Sequence, residues 1–92
     1  MLGGTVLHRA CERGHAHVVE WLLGFGADRN ARANGGYTPL HWAALNSHPR
    51  CVQLLLEGGA YASIAANSGP LPLHFACNSA ECAALLIAAH PA

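Results

Sequence analysis

TVLHRA at residues 5–10, TPLHWA at residues 38–43 and LPLHFA at residues 71–76 are three copies of one hexapeptide. Their histidines are His8, His41 and His74, so the copies are evenly spaced along the chain. A repeat period of about 20–50 residues is typical of a solenoid, in which each unit buries its apolar face against its neighbours. The hexapeptide therefore predicts one domain over residues 1–92, made of units at approximately 1–33, 34–66 and 67–92.

The middle unit shows how one copy specifies a pair of helices. The Thr38-Pro39 dipeptide suits a helix start, since Thr is a good N-cap and Pro is tolerated at the first helical position. Asn46-Ser47 ends this helix, and Pro49 opens a second, nearly all-apolar helix that Gly58-Gly59 ends. The loop between helical pairs contains Asn34-Gly35, which is a strong hairpin-turn signal. Each unit is therefore predicted to be a helix, a tight turn, a second helix and a projecting hairpin.

This pattern resembles the ankyrin repeat family. The family signature of Thr-Pro-Leu-His-x-Ala, Gly-His, Val-x-x-Leu-Leu and Gly-Ala-Asp-x-Asn is matched by residues 38–43, 14–15, 19–23 and 26–30. The resemblance implies an all-α solenoid of helix-turn-helix units joined by short β-hairpin loops. It also implies that the repeat histidine hydrogen-bonds through both ring nitrogens.

The chain departs from the family pattern at two kinds of position. Ala33 and Ala66 stand where the family usually has an Asp that braces the hairpin. In the third unit, Leu71 replaces the threonine, and aligning Leu85-Leu86 with Leu22-Leu23 requires three residues to be missing. The third unit is therefore expected to be shortened and divergent.

The four cysteines favour a role in the core over a disulfide or a zinc site. Cys11 and Cys77 are two periods apart, so they occupy the same position in the first and third units. Stacked units lie on the order of 10 Å apart, whereas a disulfide needs a Cα separation of about 4.4–6.8 Å. Cys51 and Cys82 fall at valine positions of the first unit. The sequence predicts free cysteines packed as small hydrophobes.

Composition and motifs exclude several function classes. The net charge is zero, whereas a nucleic-acid-binding protein is expected to carry a basic stripe. No apolar run approaches the roughly 20 residues that span a bilayer, and no secretory signal is visible, which favours the cytoplasm or nucleus. His15 and His17 lack a third metal ligand placed by the sequence, and there is no nucleophile set or phosphate loop. We therefore expect no enzyme, no cofactor and no metal.

The resemblance implies a protein-protein interaction module, or scaffold, whose partner lies along the concave surface of loop tips and first helices. Arginine and aromatic side chains are enriched where interfaces concentrate their binding energy. For Trp42 and Phe75, packing between adjacent units is an equal alternative. The candidate contacts on this surface are Arg13, Arg32, Asn34, Tyr37, Trp42, Leu45, Asn46 and Asn67.

A different reading makes the chain a structural or self-associating unit. The C-terminal segment from Cys82 to Ala89 is apolar and carries no charge. A terminal unit of a solenoid normally needs a polar outer face to stay soluble. The alternative is therefore a homo-oligomer joined through this helix, with Leu85, Leu86 and Ile87 as its contacts.

Overall fold

The computed structural model describes residues 5–67, 69–72, 74–75 and 79–89. These residues contain the helices α1 (Val6–Arg13), α2 (Ala16–Gly24), α3 (Pro39–Leu45), α4 (Pro49–Glu57) and α5 (Ala80–Ala89), with a 3-10 turn at Asn34–Gly36. The described part of the chain contains no strand, so the all-α fold class is confirmed. The prediction for Cys77 lies outside the described residues.

The helices form two layers around one core. In one layer α1 packs on α3, and in the other α2 packs on α4 and α4 on α5. The largest fully buried apolar side chains include Leu7, Val19, Leu40, Val52, Leu55 and Leu86. Cys11, Cys51 and Cys82 are free and lie in the same core, at 0%, 1% and 0% exposure. The interpretation of these three cysteines as core hydrophobes is confirmed.

Thr5 and Thr38 begin α1 and α3 with the same capping box. The Thr5 hydroxyl accepts the His8 backbone N–H at 3.3 Å, and His8 Nδ1 accepts the Thr5 backbone N–H at 3.1 Å. Thr38 and His41 repeat these two bonds at 3.4 and 3.0 Å. The hexapeptide begins a helix because its threonine and the histidine three residues later each accept the other's backbone N–H with a side-chain atom.

The third copy begins no α-helix within the described residues. Leu71 has no hydroxyl, so only half of the box remains, in which the Leu71 N–H donates to His74 Nδ1 at 2.7 Å. The described residues that follow, Pro72, His74 and Phe75, have 3-10 geometry. Without a side-chain acceptor at the N-cap, the helix start is weaker.

The loops between units are hairpin-like turns rather than paired strands. In the first loop the Gly36 N–H donates to the Ala33 carbonyl and the Ala33 N–H to the Tyr37 carbonyl, both at 2.8 Å. The second loop repeats these bonds at the equivalent positions of the next unit, at 2.9 and 2.8 Å. Ala33 and Ala66 are buried at the base of the turns. The predicted hairpins are therefore present as turns, with no strand in the described residues.

Helix α5 follows α4 at a shorter spacing than α4 follows α2. Cys82 and Leu86 are buried at the places that Cys51 and Leu55 hold in α4. By this burial pattern the third unit is two residues short, and not three as the alignment predicts. The difference of one residue rotates α5 so that Leu86 points into the core.

Candidate partner-binding surface

The ring of Tyr37 meets three other rings at the junction of the first loop, α3 and the third unit. The centroid of the Tyr37 ring lies 5.5 Å from that of His41, 6.0 Å from that of Trp42 and 5.9 Å from that of Phe75. Together with Leu45, these rings line a cavity of about 310 Å³, which we call the aromatic cavity. Three predicted contact residues, Tyr37, Trp42 and Leu45, are thus brought together.

Trp42 and Phe75 contribute to both the core and the cavity. Both rings are half-buried and pack against the core. Both also line the aromatic cavity. Packing between units and lining a surface cavity are therefore not exclusive roles for these two side chains. Leu45 is 45% exposed and lies at the end of α3.

Two glycines allow the loop to close over Tyr37. Gly35 and Gly36 have φ values of 82° and 81°, in the region that favours glycine. A Cβ at Gly35 would lie 2.7 Å from Cε2 of Tyr37, and a Cβ at Gly36 would lie 2.6 Å from a terminal nitrogen of Arg32. A side chain at either position would displace the groups that shape this surface.

Arg32 fastens the first loop to the second. Its Nε donates to the Gly36 carbonyl at 3.2 Å, and one terminal nitrogen donates to the Ala65 carbonyl at 2.8 Å and to Asn67 Oδ1 at 3.2 Å. The Asn67 backbone N–H donates back to the Gly35 carbonyl at 2.7 Å. Sequence reasoning assigns Arg32 and Asn67 to partner contact alone, whereas the structure also gives them a bracing role.

His8 and His41 connect each helix start to the next loop. Nε2 of His8 donates to the Tyr37 carbonyl at 2.8 Å, and Nε2 of His41 donates to the Pro70 carbonyl at 3.0 Å. Because Nδ1 accepts a backbone N–H, this bonding pattern requires neutral rings with the proton on Nε2. Burial lowers the pKa of both histidines, and the Arg32 cation lowers that of His41 further. The predicted use of both ring nitrogens is confirmed for these two residues.

The remaining predicted contacts lie outside the aromatic cavity. Arg13 is exposed in the last turn of α1, and Asn34 is exposed in the turn of the first loop. Asn46 is exposed after α3, where its Nδ2 donates to the Trp42 carbonyl at 3.0 Å. The structure therefore divides the predicted set into cavity residues, loop-bracing residues and exposed neighbours.

The three residues proposed for self-association do not share one environment. Leu86 is 1% exposed and belongs to the core, so it cannot contact another molecule without unfolding α5. Leu85 is half-buried against the core. Ile87 is 61% exposed. The prediction that Leu86 forms part of a contact surface is therefore wrong, because this side chain is buried. Of the three residues, Ile87 is the one that is exposed.

Sequence reasoning missed an exposed apolar face on α2. Val18, Trp21 and Phe25 are 39%, 67% and 75% exposed, and the two rings meet edge to face at 5.1 Å. We call these three residues the N-terminal face. The repeat could have revealed it, because the positions one period after Val18 and Trp21 are Cys51 and Leu54, which are buried. A buried position in one unit is thus exposed in the unit before it.

The described residues show little reactive chemistry. Burial raises the pKa of the Cys11 and Cys51 thiols, which disfavours the thiolate that a nucleophile requires. In the described ranges, no group of three or more His, Cys, Asp or Glu side chains is arranged to hold a metal ion. The helices of these same ranges are too short or too polar to cross a membrane.

The comparisons with known proteins establish the family. A family model described as ankyrin repeats (3 copies) matches residues 2–66. A crystal structure of the human ASB11 ankyrin repeat domain is similar, with a TM-score of 0.89, 31% sequence identity and coverage of 92% of this chain. The match spans 39% of the ASB11 chain. The search of curated proteins found no match.

This chain belongs to the ankyrin repeat family. Ankyrin repeats are generally protein-interaction modules, and the family is generally non-enzymatic. The third unit lies beyond the range that the family model matches, in agreement with its shortened and divergent sequence.

Proposed function

We propose that this chain is a non-catalytic module that binds a segment of another protein at the aromatic cavity and the neighbouring loop ends. The observation that carries the proposal is the cavity of about 310 Å³ between Tyr37, Trp42, Leu45 and Phe75. A concave apolar site lined by aromatic rings is where binding energy concentrates in protein interfaces. The bracing by Arg32 supports this, because a preorganised surface loses less entropy on binding.

The chemistry of the surface suggests the kind of segment that it binds. The cavity requires a bulky apolar side chain such as Leu, Met or Phe. The hydrogen-bond acceptors of Arg32 are carbonyl and amide oxygens, so these bonds leave its positive charge uncompensated. We therefore expect the segment to carry a carboxylate near its apolar anchor, within reach of Arg32.

A display library of random peptides tests this proposal directly. Peptides selected on the immobilised full chain should be enriched in a large apolar residue with Asp or Glu nearby. Binding can be followed by the fluorescence of Trp42, using Trp21→Phe as the background so that one tryptophan remains. Selected peptides should change this emission because Trp42 lines the cavity.

Leu45→Glu is the variant that tests the site. A charge at the mouth of the cavity should weaken binding of the selected peptides at least about tenfold, since an apolar anchor would meet a carboxylate. Tyr61→Glu is the control, because Tyr61 is 64% exposed and lies outside the cavity. Equal binding to Leu45→Glu and to the unaltered chain would contradict the proposed site.

A further inference from the structure

The layer of α2, α4 and α5 contains the same interface twice. One stripe of α4 contains the buried Cys51 and Leu54 and continues to Gly58. It lies on the side of the preceding helix, since a Cβ at Gly58 would lie 3.4 Å from Cδ1 of Leu23. The corresponding positions of α5 are Cys82, which is buried, and Leu85, which is half-buried. In each case a helix covers its predecessor with residues spaced by three or four positions.

At the start of the layer, this stripe has nothing packed against it among the described residues. On α2 it consists of Val18, Trp21 and Phe25, the N-terminal face defined above. Two adjacent aromatic rings expose on the order of 300 Å² of surface. Exposed apolar patches of this size, about 300–600 Å², are often functional.

At the end of the layer, the opposite stripe is similarly uncovered. The residues Leu23 of α2 and Leu56 of α4 are half-buried against the core, and Leu23 lies close to Gly58 at the end of α4. The residue at their register position on α5 is Ile87, which is 61% exposed. With Ala80 and Ala83 on the same stripe, Ile87 forms what we call the C-terminal face.

We propose that copies of this chain stack head to tail, with the N-terminal face of one copy packed on the C-terminal face of another. This contact continues the α2–α4 and α4–α5 packing that the chain already makes twice. The two faces are complementary in size, because in the stacked arrangement the rings of Trp21 and Phe25 of one copy would lie against the small side chains of Ala80 and Ala83 of the other.

The charges at the edge of these faces are compatible with the stacking. His17, Arg50 and Glu81 occupy one register position on α2, α4 and α5. Head-to-tail stacking would place Glu81 of one copy beside His17 of the next, so this position brings no like-charged pair together.

The geometry determines what kind of assembly results. A head-to-tail contact uses two different faces, so it is heterologous and does not close on a dimer unless the rotation between copies closes a ring. The area is smaller than the roughly 800 Å² per partner of a stable interface. We therefore expect reversible, concentration-dependent association that passes beyond the dimer.

Sedimentation equilibrium of the full chain provides the first test. The weight-average mass should rise with concentration and exceed that of a dimer. The proposal is overturned if the mass stays that of a monomer up to millimolar concentration, since a dissociation constant above about 1 mM is too weak to consider. Both faces would then be expected to bind another polypeptide segment.

Two surface variants determine which faces meet. Trp21→Glu blocks the N-terminal face and Ile87→Glu blocks the C-terminal face, and both side chains are mainly exposed, so circular dichroism should show an unchanged fold. Each change should weaken association at least about 30-fold, as loss of a central interface residue does. Tyr61→Glu, which lies on neither face, should associate like the unaltered chain.

Mixing the two variants is the decisive experiment. Each is expected to be monomeric alone, but the mixture retains one intact face of each kind and should form a 1:1 dimer that grows no further. If Ile87→Glu still associates while Trp21→Glu does not, copies meet through two N-terminal faces and the head-to-tail proposal is wrong. A mixture that stays monomeric would also overturn it.

Discussion

The start of α3 and the third copy of the hexapeptide contain nearly the same six residues, yet among the described residues only the first begins an α-helix. At α3, Thr38 and His41 are each 1% exposed and satisfy each other's backbone donors. At the third unit, Leu71 supplies a backbone N–H to His74, but no hydroxyl, and His74 is exposed.

The difference shows that the repeat histidine depends on two neighbours. The threonine before it supplies the N-cap oxygen, and the loop of the following unit supplies a carbonyl to Nε2. His41 has both, since Nε2 donates to the Pro70 carbonyl. Within the described part of the chain, no hydrogen bond joins Nε2 of His74 to a later loop. The same histidine is therefore a central brace in one unit and a surface residue in another.

The largest expected effect comes from removing this histidine where both neighbours are present. His41→Ala should lower the free energy of unfolding by about 3 kcal/mol, because it removes half of a capping box and leaves the Pro70 carbonyl and the Thr38 N–H without partners. Urea denaturation followed by circular dichroism measures the change.

His74→Ala is the matched control for His41→Ala. Because His74 is exposed, water can replace its hydrogen bonds, and the change should cost less than about 0.5 kcal/mol. If the two substitutions destabilise the protein equally, the distinction between the two hexapeptide copies does not hold.

Acidification should produce a smaller loss, because it keeps the rings but protonates Nδ1. The folded-state pKa of His8 and His41 lies below the value of about 6.5 expected in the unfolded chain. The unfolded chain therefore binds protons first as pH falls below about 6.5, and stability decreases until the pH passes the folded-state pKa values. Above about 6.5 this contribution is fully present.

The pH dependence can be measured by urea denaturation between neutral and mildly acidic pH. His41→Gln should reduce the slope, since it removes one of the two groups responsible. Stability that stays constant or rises on acidification would show that burial does not hold these rings neutral.

Much of the fold could be predicted because it is local and repeated. The Thr38-Pro39 start, the glycine stops and the evenly spaced hexapeptide each act within a few residues or between neighbouring units. The spacing of α5 could not be obtained in this way. It depends on how Cys82 and Leu86 pack beside α4. Aligning the leucine pairs of two units gives no information about this packing.

The candidate site was predictable in part. Tyr37, Trp42 and Leu45 can be identified from their places in the repeat, and the structure brings them into one cavity. The bracing role of Arg32 was not predictable, because its acceptors are backbone carbonyls of Gly36 and Ala65 that no side-chain pattern marks. The exposure of Trp21 was not predictable either, because it depends on what packs beside α2. The sequence of α2 taken alone is apolar and predicts burial.

Apart from the His74→Ala control, the smallest expected effect is a gain, from restoring the missing hydroxyl in the third copy. In Leu71→Thr the new oxygen can accept the His74 backbone N–H, as Thr38 does for His41. Leu71→Val is the matched control, since valine has the shape of threonine without the hydroxyl and removes the same apolar contacts. The threonine variant should be more stable than the valine variant by about 1 kcal/mol, the usual contribution of an N-cap. Its helical circular dichroism signal should also be higher. Equal stability of the two variants would mean that the missing cap is not the reason why no α-helix begins at Leu71 within the described residues, and the shorter spacing between α4 and α5 would then be the cause to examine.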